Sequence, residues 1–124
     1  MTPAINEALA SIPDPRLGLP FDTFLLVSRL TPLVNVDLLI RQNLESERAP
    51  FLLTWRDDDY YRGWHVPGGI IRFKETWLDR LEAVAETELG TRISPASTLV
   101  GVFELMAPDR DVRGHFVLLL FNCE

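Results

Sequence analysis

The chain has 124 residues, a formal net charge of −6, a 47% share of hydrophobic residues and one cysteine, Cys123. This length suits a single domain with its own core, the apolar share excludes a disordered chain, and the acidic balance argues against binding to nucleic acid. A lone cysteine excludes an internal disulfide, and no apolar run could span a bilayer, so a cytoplasmic location without a membrane partner is expected.

The first 19 residues are predicted to form an N-terminal arm. Apolar residues spaced for a short helix precede Pro13 and Pro15, and a second helix is predicted from Asp22 to about Arg29. An arm of this kind could pack on a neighbouring copy, so a homodimer is among the assemblies expected.

A β-strand is predicted from Leu33 to Arg41, because apolar residues alternate along it. Asp37 lies in the middle of this strand among apolar neighbours. Two interpretations follow from the pattern alone: Asp37 faces water at a sheet edge, or it belongs to a functional site.

A charged loop from Glu45 to Pro50 is predicted to lead into a returning strand, Phe51 to Arg56. Arg56 at the strand end could hold phosphate oxygens, or it could form a surface ion pair with one of the acids Asp57 to Asp59. Those three acids are predicted to be a solvated loop, because consecutive residues do not converge on one metal ion.

An amphipathic helix is predicted from Thr76 to Leu89. Thr76 is a suitable N-cap with Asp79 as its capping-box partner, and Gly90 suits the left-handed position after the last turn. At about 100° per residue, the apolar stripe contains Glu88 in its middle. A core-facing carboxylate is costly unless paired, so Glu88 either reaches past the last turn, pairs with a buried arginine, or binds a metal ion. The apolar members of the stripe are Trp77, Leu78, Leu81, Val84, Ala85 and Leu89.

Two further strands are predicted from Leu99 to Met106 and from His115 to Asn122, joined by a polar turn from Pro108 to Gly114. The side chains that titrate near neutral pH, His65 and His115, are each interpreted as packing residues at strand ends.

The helix and the residues before it resemble the Nudix box, which reads Gly, five of any residue, Glu, seven of any, then Arg-Glu-apolar-any-Glu-Glu-any-Gly. The chain keeps the first Gly, the first Glu, the last Glu and the final Gly of this box. It has Ala83, Val84 and Thr87 where the box has Arg, Glu and Glu. The four positions kept are Gly69, Glu75, Glu88 and Gly90.

One branch of the Nudix superfamily, the GDP-mannose mannosyl hydrolases, also keeps only the last glutamate, and the chain resembles that branch from about Leu19 onwards. The likeness extends through Thr31–Asp37, Phe51–Leu53 with Arg56, and Gly63–Gly69. The chain departs from the branch at Ile70 and Ala83, where the branch has arginine, and at Phe116, where it has tyrosine.

The resemblance implies one α/β Nudix domain over residues 1–124: an α/β/α sandwich with a mixed β-sheet and a box-like loop–helix–loop at 68–90. The second large helix of that fold would lie beyond Glu124. The resemblance also implies a Mg²⁺ site, with Mn²⁺ as a substitute, formed by Glu88 and the Gly68 carbonyl. It assigns Arg56 and Asp37 to catalysis and substrate binding, and gives Glu75 a structural role.

The activity implied is hydrolysis of a nucleoside-diphosphate sugar, in which water attacks the anomeric carbon and GDP and free sugar result. The histidine base of the branch and the glutamine before it would lie beyond Glu124. Two alternatives are a Nudix pyrophosphatase acting on another nucleotide sugar, and an inactive Nudix module that binds a nucleotide sugar or a protein.

Overall fold

The computed structural model describes residues 1–41, 48, 50–93 and 98–123, so the predicted loop from Glu45 to Pro50 lies mostly outside the described residues. None of the helices in these ranges has the length and apolar character needed to cross a membrane. The helices are α1 (Pro3–Ala10), α2 (Phe21–Leu30) and α3 (Trp77–Val84), and the strands are β1 (Leu33–Ile40), β2 (Thr54–Asp57), β3 (Arg62–His65), β4 (Gly68–Ile70), β5 (Thr98–Met106) and β6 (His115–Cys123).

Four strands form a mixed sheet in the order β4-β1-β6-β5. β1 runs parallel to β6 and antiparallel to β4, and β5 pairs with β6 in antiparallel fashion. β2 and β3 form a separate antiparallel hairpin. The predicted α/β fold with a mixed sheet is therefore confirmed. Because β1 has a neighbour on both sides, Asp37 does not face water at a sheet edge.

The core lies between α3 and the face of β1 and β6 that it covers. Leu81, Val84 and Ala85 are the buried residues of the helical side, and this matches the centre of the predicted stripe. Trp77 differs, since its side chain is 58% exposed and its ring packs against Phe121 from the rim. The remaining buried members of the cluster are Val36, Leu38, Ile93, Phe121 and Cys123.

Both predicted ends of the helix are confirmed. The Thr76 hydroxyl accepts a hydrogen bond from the Asp79 amide at 3.1 Å, and the Asp79 carboxylate accepts one from the Thr76 amide at 3.0 Å. Gly90 has a left-handed φ of 64°. Between α3 and Gly90, residues Ala85–Leu89 form a wider π-helical turn, a feature found mostly as a local bulge and often at functional sites.

We expect Leu81→Ala to destabilise the protein by about 2–5 kcal/mol, because it leaves a cavity under α3. Thr76→Ala should destabilise it by about 1 kcal/mol, because the helix loses its N-cap. Urea unfolding measures both. Glu82→Ala, on the exposed face of the same helix, is the control. A Leu81→Ala loss no larger than that of Glu82→Ala would contradict the packing described.

Candidate active site

A pocket of about 270 Å³ opens where β1, β4, the β2–β3 hairpin and the π-helical turn meet. The four site residues expected from the sequence, Asp37, Arg56, Gly68 and Glu88, all line it. Three strand segments and one helix end therefore converge on a single cavity. The other lining residues are Asn35, His65, Val66, Gly69, Ile70 and Arg113.

Asp37 and Gly68 are direct partners across β1 and β4. A Cβ atom on Gly68 would lie 2.1 Å from Asp37 Oδ1 and 2.7 Å from the Val36 carbonyl oxygen, so only glycine fits. The Asn35 amide donates a 2.7 Å hydrogen bond to Asp37 Oδ1. This close approach places a carboxylate and the backbone of β4 side by side at the pocket floor.

Glu88 lies on the π-helical turn, and its position differs from the one predicted. The α-helical spacing puts Glu88 in the middle of the core-facing stripe, whereas its side chain is exposed and lines the pocket. The wider turn changes the angular spacing of the last residues and rotates Glu88 out of the core. Of the three interpretations, pairing with a buried arginine is wrong, because no described residue forms an ion pair with Glu88.

The two carboxylates, which we call the acidic pair (Asp37 and Glu88), share an unfavourable environment for charge. Burial raises the pKa of Asp37 to about 6, with a further increase from Glu88, while His65 and the Asn35 hydrogen bond oppose the shift. Burial also raises the pKa of Glu88, against the effects of His65 and Arg56. A site that raises the pKa of two facing acids favours a bound proton or cation.

Arg56 forms the surface ion pair of one interpretation, and the phosphate-binding interpretation stays a prediction. Its Nε donates to the Asp58 carboxylate, so the surface ion pair exists, yet the side chain also lines the pocket. Asp58 additionally accepts the amides of Tyr60 at 2.8 Å and Tyr61 at 3.0 Å, which organises the β2–β3 turn. Arg56 and these amides lower the pKa of Asp58 to about 2. The acidic run is thus an exposed turn that anchors Arg56.

The two histidines are held by their strand neighbours. Nδ1 of His65 lies 2.9 Å from the Thr54 carbonyl oxygen and donates a hydrogen bond there, because a carbonyl oxygen can only accept. His115 Nε2 lies 3.1 Å from a carboxylate oxygen of Glu104 on the paired strand. His115 is outside the pocket, whereas His65 lines it.

Glu75 is bound to the scaffold. The Arg80 guanidinium donates to both of its carboxylate oxygens, and the Arg72 amide donates to one of them at 2.9 Å. The Arg80 and Glu75 side chains are 12% and 11% exposed, and Arg80 lowers the pKa of Glu75. Arg80 lies one helical turn before Ala83, where the box has arginine.

Arg113 is a lining residue that the sequence did not single out. It belongs to the turn between β5 and β6, more than 20 residues after Glu88 in the chain. In the sequence it is one of several charges in a polar turn. Nothing in its spacing predicts that the turn folds over the β2–β3 hairpin, so no local signal could have identified it.

The oxygen donors in the pocket suit a hard divalent cation. Carboxylate oxygens of the acidic pair and the Gly68 carbonyl are the ligand types that Mg²⁺ prefers. Among the described residues, no group of three His, Cys, Asp or Glu side chains is placed to hold a metal ion. The protein could therefore supply a minority of the ligands, which is common for Mg²⁺ that also binds water and substrate phosphate.

Solved structures share this architecture. The MutT protein from Methanosarcina mazei Go1 has a TM-score of 0.60 at 20% identity, over 76% of this chain and 64% of that one. The Nudix domain of Shewanella oneidensis NrtR, complexed with ADP-ribose, has a TM-score of 0.57 at 19% identity, over 100% of this chain and 75% of that one. The chain thus has the Nudix fold, although no protein-family profile matches its sequence.

A curated relative is closer in sequence. The Low-salt glycan biosynthesis protein Agl8 of Haloferax volcanii is 38% identical over 113 residues, covering 87% of this chain and 69% of that protein. The chain belongs to the same family as Agl8.

The acidic pair leads to a prediction about stability and pH. Folding raises the pKa of Asp37 from 3.8 to about 6, so the folded state binds the proton more tightly and stability falls as pH rises through that interval. With divalent metal chelated, we expect Asp37→Asn to be about 1–3 kcal/mol more stable than the wild type at pH 7, with a smaller difference at pH 4.

Urea unfolding at the two pH values measures the difference. Asp109→Asn, an exposed change of the same chemistry in the β5–β6 turn, is the control and should give a small difference at both. If Asp37→Asn shows the same difference from wild type at pH 4 and pH 7, the raised pKa is wrong.

Proposed function

We propose that the protein is a Mg²⁺-dependent hydrolase of a nucleoside-diphosphate sugar, of the GDP-mannose mannosyl hydrolase type. The observation that carries the proposal is one pocket lined by the acidic pair, the Gly68 backbone and two arginine side chains, Arg56 and Arg113. Cations must neutralise the negative charge of a bound diphosphate. This pocket offers guanidinium groups for that purpose and oxygen ligands for a metal ion.

Two comparisons support a nucleotide-sugar substrate. The Haloferax relative is named for glycan biosynthesis, a process that consumes activated sugars. The Shewanella Nudix domain is complexed with ADP-ribose, in which a diphosphate joins a nucleoside to a sugar. Both are consistent with a pocket that binds a diphosphate flanked by a nucleoside and a sugar.

In this proposal Glu88 and the Gly68 carbonyl would hold Mg²⁺, with Mn²⁺ as a substitute. The bound cation would neutralise diphosphate charge and stabilise the leaving group. Arg56 would bind phosphate oxygens with the guanidinium nitrogens that Asp58 leaves free. Asp37 would accept a hydrogen bond from the substrate beside the reacting sugar, held in place by Asn35.

The proposed reaction breaks the bond between the anomeric carbon and the diphosphate oxygen. Water adds to that carbon, the electron pair leaves with GDP, and the proton of the water passes to a base. Attack at phosphorus is the alternative, and it would give GMP and a sugar phosphate. An inactive binding module is a second candidate, favoured by the lack of a three-member cluster of metal-binding side chains among the described residues.

Product analysis in ¹⁸O-labelled water distinguishes these activities. With GDP-mannose and Mg²⁺ we expect GDP and free mannose, with the label in the sugar. GMP and mannose phosphate, with the label on phosphorus, would indicate the pyrophosphatase. Binding of GDP-mannose without turnover would indicate the binding module.

The proposed metal ligand is tested by Glu88→Gln. We expect Mg²⁺ to raise the melting temperature of the wild type by mass action and to leave that of Glu88→Gln unchanged, because the amide loses the charge that holds a hard cation. Without Mg²⁺ the variant should be at least as stable as the wild type, since an amide is less costly to desolvate than a carboxylate.

Glu86→Gln is the matched control, because Glu86 lies on the same turn but outside the pocket. It should keep the Mg²⁺ response of the wild type. Equal Mg²⁺ shifts in all three proteins would exclude Glu88 as a ligand.

A further inference from the structure

Arg113 is held at the pocket by two aromatic rings from separate parts of the chain. Its guanidinium carbon lies 4.3 Å from the centroid of the Tyr60 ring in the β2–β3 turn and 5.7 Å from that of Phe24 in α2. Rings at these distances attract a planar cation and fix its plane. The arginine therefore has a defined position on the pocket wall, although it comes from a turn.

The backbone at Arg113 adopts a conformation that arginine rarely takes. Its φ is 53°, in the left-handed region that usually holds glycine or asparagine. The Arg113 amide donates a 3.0 Å hydrogen bond to the hydroxyl of buried Ser28, which in turn donates to the Leu25 carbonyl at 2.8 Å. Contacts from α2 thus maintain an unfavourable backbone at this residue, a pattern often found at functional sites.

Arg113 has no ion-pair partner in contact with it in the part of the chain that the structure describes. No carboxylate there forms an ion pair with it, and its buried Nε has no hydrogen-bond acceptor. Burial lowers the pKa of Arg113, and the nearby Arg56 lowers it further, while Asp58 and Tyr60 oppose the shift. A half-buried cation beside a like charge is unfavourable until an anion joins the two.

Arg56, which lines the same pocket, is also held in place by its neighbours. Asp58 holds its Nε, and the guanidinium lies 5.9 Å from the Tyr61 ring centroid. Adjacent tyrosines of one turn therefore contact the two arginines, Tyr60 with Arg113 and Tyr61 with Arg56. We call Arg56 and Arg113 the arginine pair.

We propose that the arginine pair forms the anion site of this pocket, with Arg113 binding the phosphate group next to the one that Arg56 binds. That the anion is the diphosphate of a nucleotide sugar rests on the proposed function, whereas the anion site does not. The acidic pair repels an anion, whereas the guanidinium nitrogens of the arginine pair attract one.

Inorganic pyrophosphate, with divalent metal chelated, tests the site without any need for turnover or a sugar. Calorimetric titration of the wild type should show binding. We expect Arg113→Ala and Arg113→Asn to weaken it by about tenfold or more, as for one lost charge-assisted contact. Asparagine tolerates the left-handed backbone, so it guards against loss of folding. Arg113→Lys should recover part of the affinity, because the charge remains but the planar fork is lost.

Arg62→Ala is the control of equal charge change. Arg62 is on β3, its side chain is 75% exposed, and it does not line the pocket. It should keep pyrophosphate affinity within about twofold of the wild type, as expected for an exposed charge screened by salt.

The proposal is wrong if the wild type does not bind pyrophosphate, or if folded Arg113→Asn binds it as tightly as the wild type. It is also wrong if Arg62→Ala weakens binding as much as Arg113→Ala, because general charge would then account for the effect.

Loss of pyrophosphate binding in the Arg113 variants without hydrolysis of any nucleotide sugar by the wild type would support the anion site and reject the proposed function. Hydrolysis of a nucleotide sugar by the wild type that is unaffected in Arg113→Asn would support the proposed function and reject the anion site.

Discussion

The close approach of β4 to its neighbours is the constraint on which the site depends. Successive residues of a strand face opposite sides, so Gly68 faces the pocket and Gly69 faces α3. A Cβ on Gly68 would overlap Asp37, and a Cβ on Gly69 would lie 2.8 Å from a methyl of Val84. The two glycines therefore set two distances. Gly68 sets the distance between Asp37 and the β4 backbone, and Gly69 sets the distance between the sheet and the helix that leads to Glu88.

The segment that resembles the Nudix box keeps the geometry of a loop and helix but few of the box's acids. Its first glutamate is fixed by Arg80, and Val84, at a glutamate position of the box, is a buried core residue. Thr87, at another glutamate position, is exposed. The loop and helix keep their geometry through the ion pair, the cap and Gly90, while Glu88 alone among the acids of the box lines the pocket.

Local chemistry explains what could be predicted from the sequence. The capping box, the left-handed Gly90, the alternating strand of Asp37 and the mixed sheet all follow from short-range patterns or from the family resemblance. The π-helical turn could not be predicted, because an α-helical period assigns Glu88 to the core and nothing in the sequence marks the wider turn. The position of Arg113 in the pocket depends on the packing of one turn against another, and no spacing along the chain predicts that packing.

The arrangement of charge in the pocket links the metal and the arginines that we propose. The chain has a net charge of −6, so an anionic ligand meets an unfavourable field until it reaches a local cation. The arginine pair supplies positive charge to the pocket, and the carboxylates of the acidic pair repel an anion there. A diphosphate that spans the pocket would place phosphate oxygens against those acids. A divalent cation held by the acidic pair would make that contact favourable, because it would supply positive charge between like charges. Anion binding at the arginine pair and cation binding at the acidic pair should therefore strengthen each other, a reciprocal coupling between two sites.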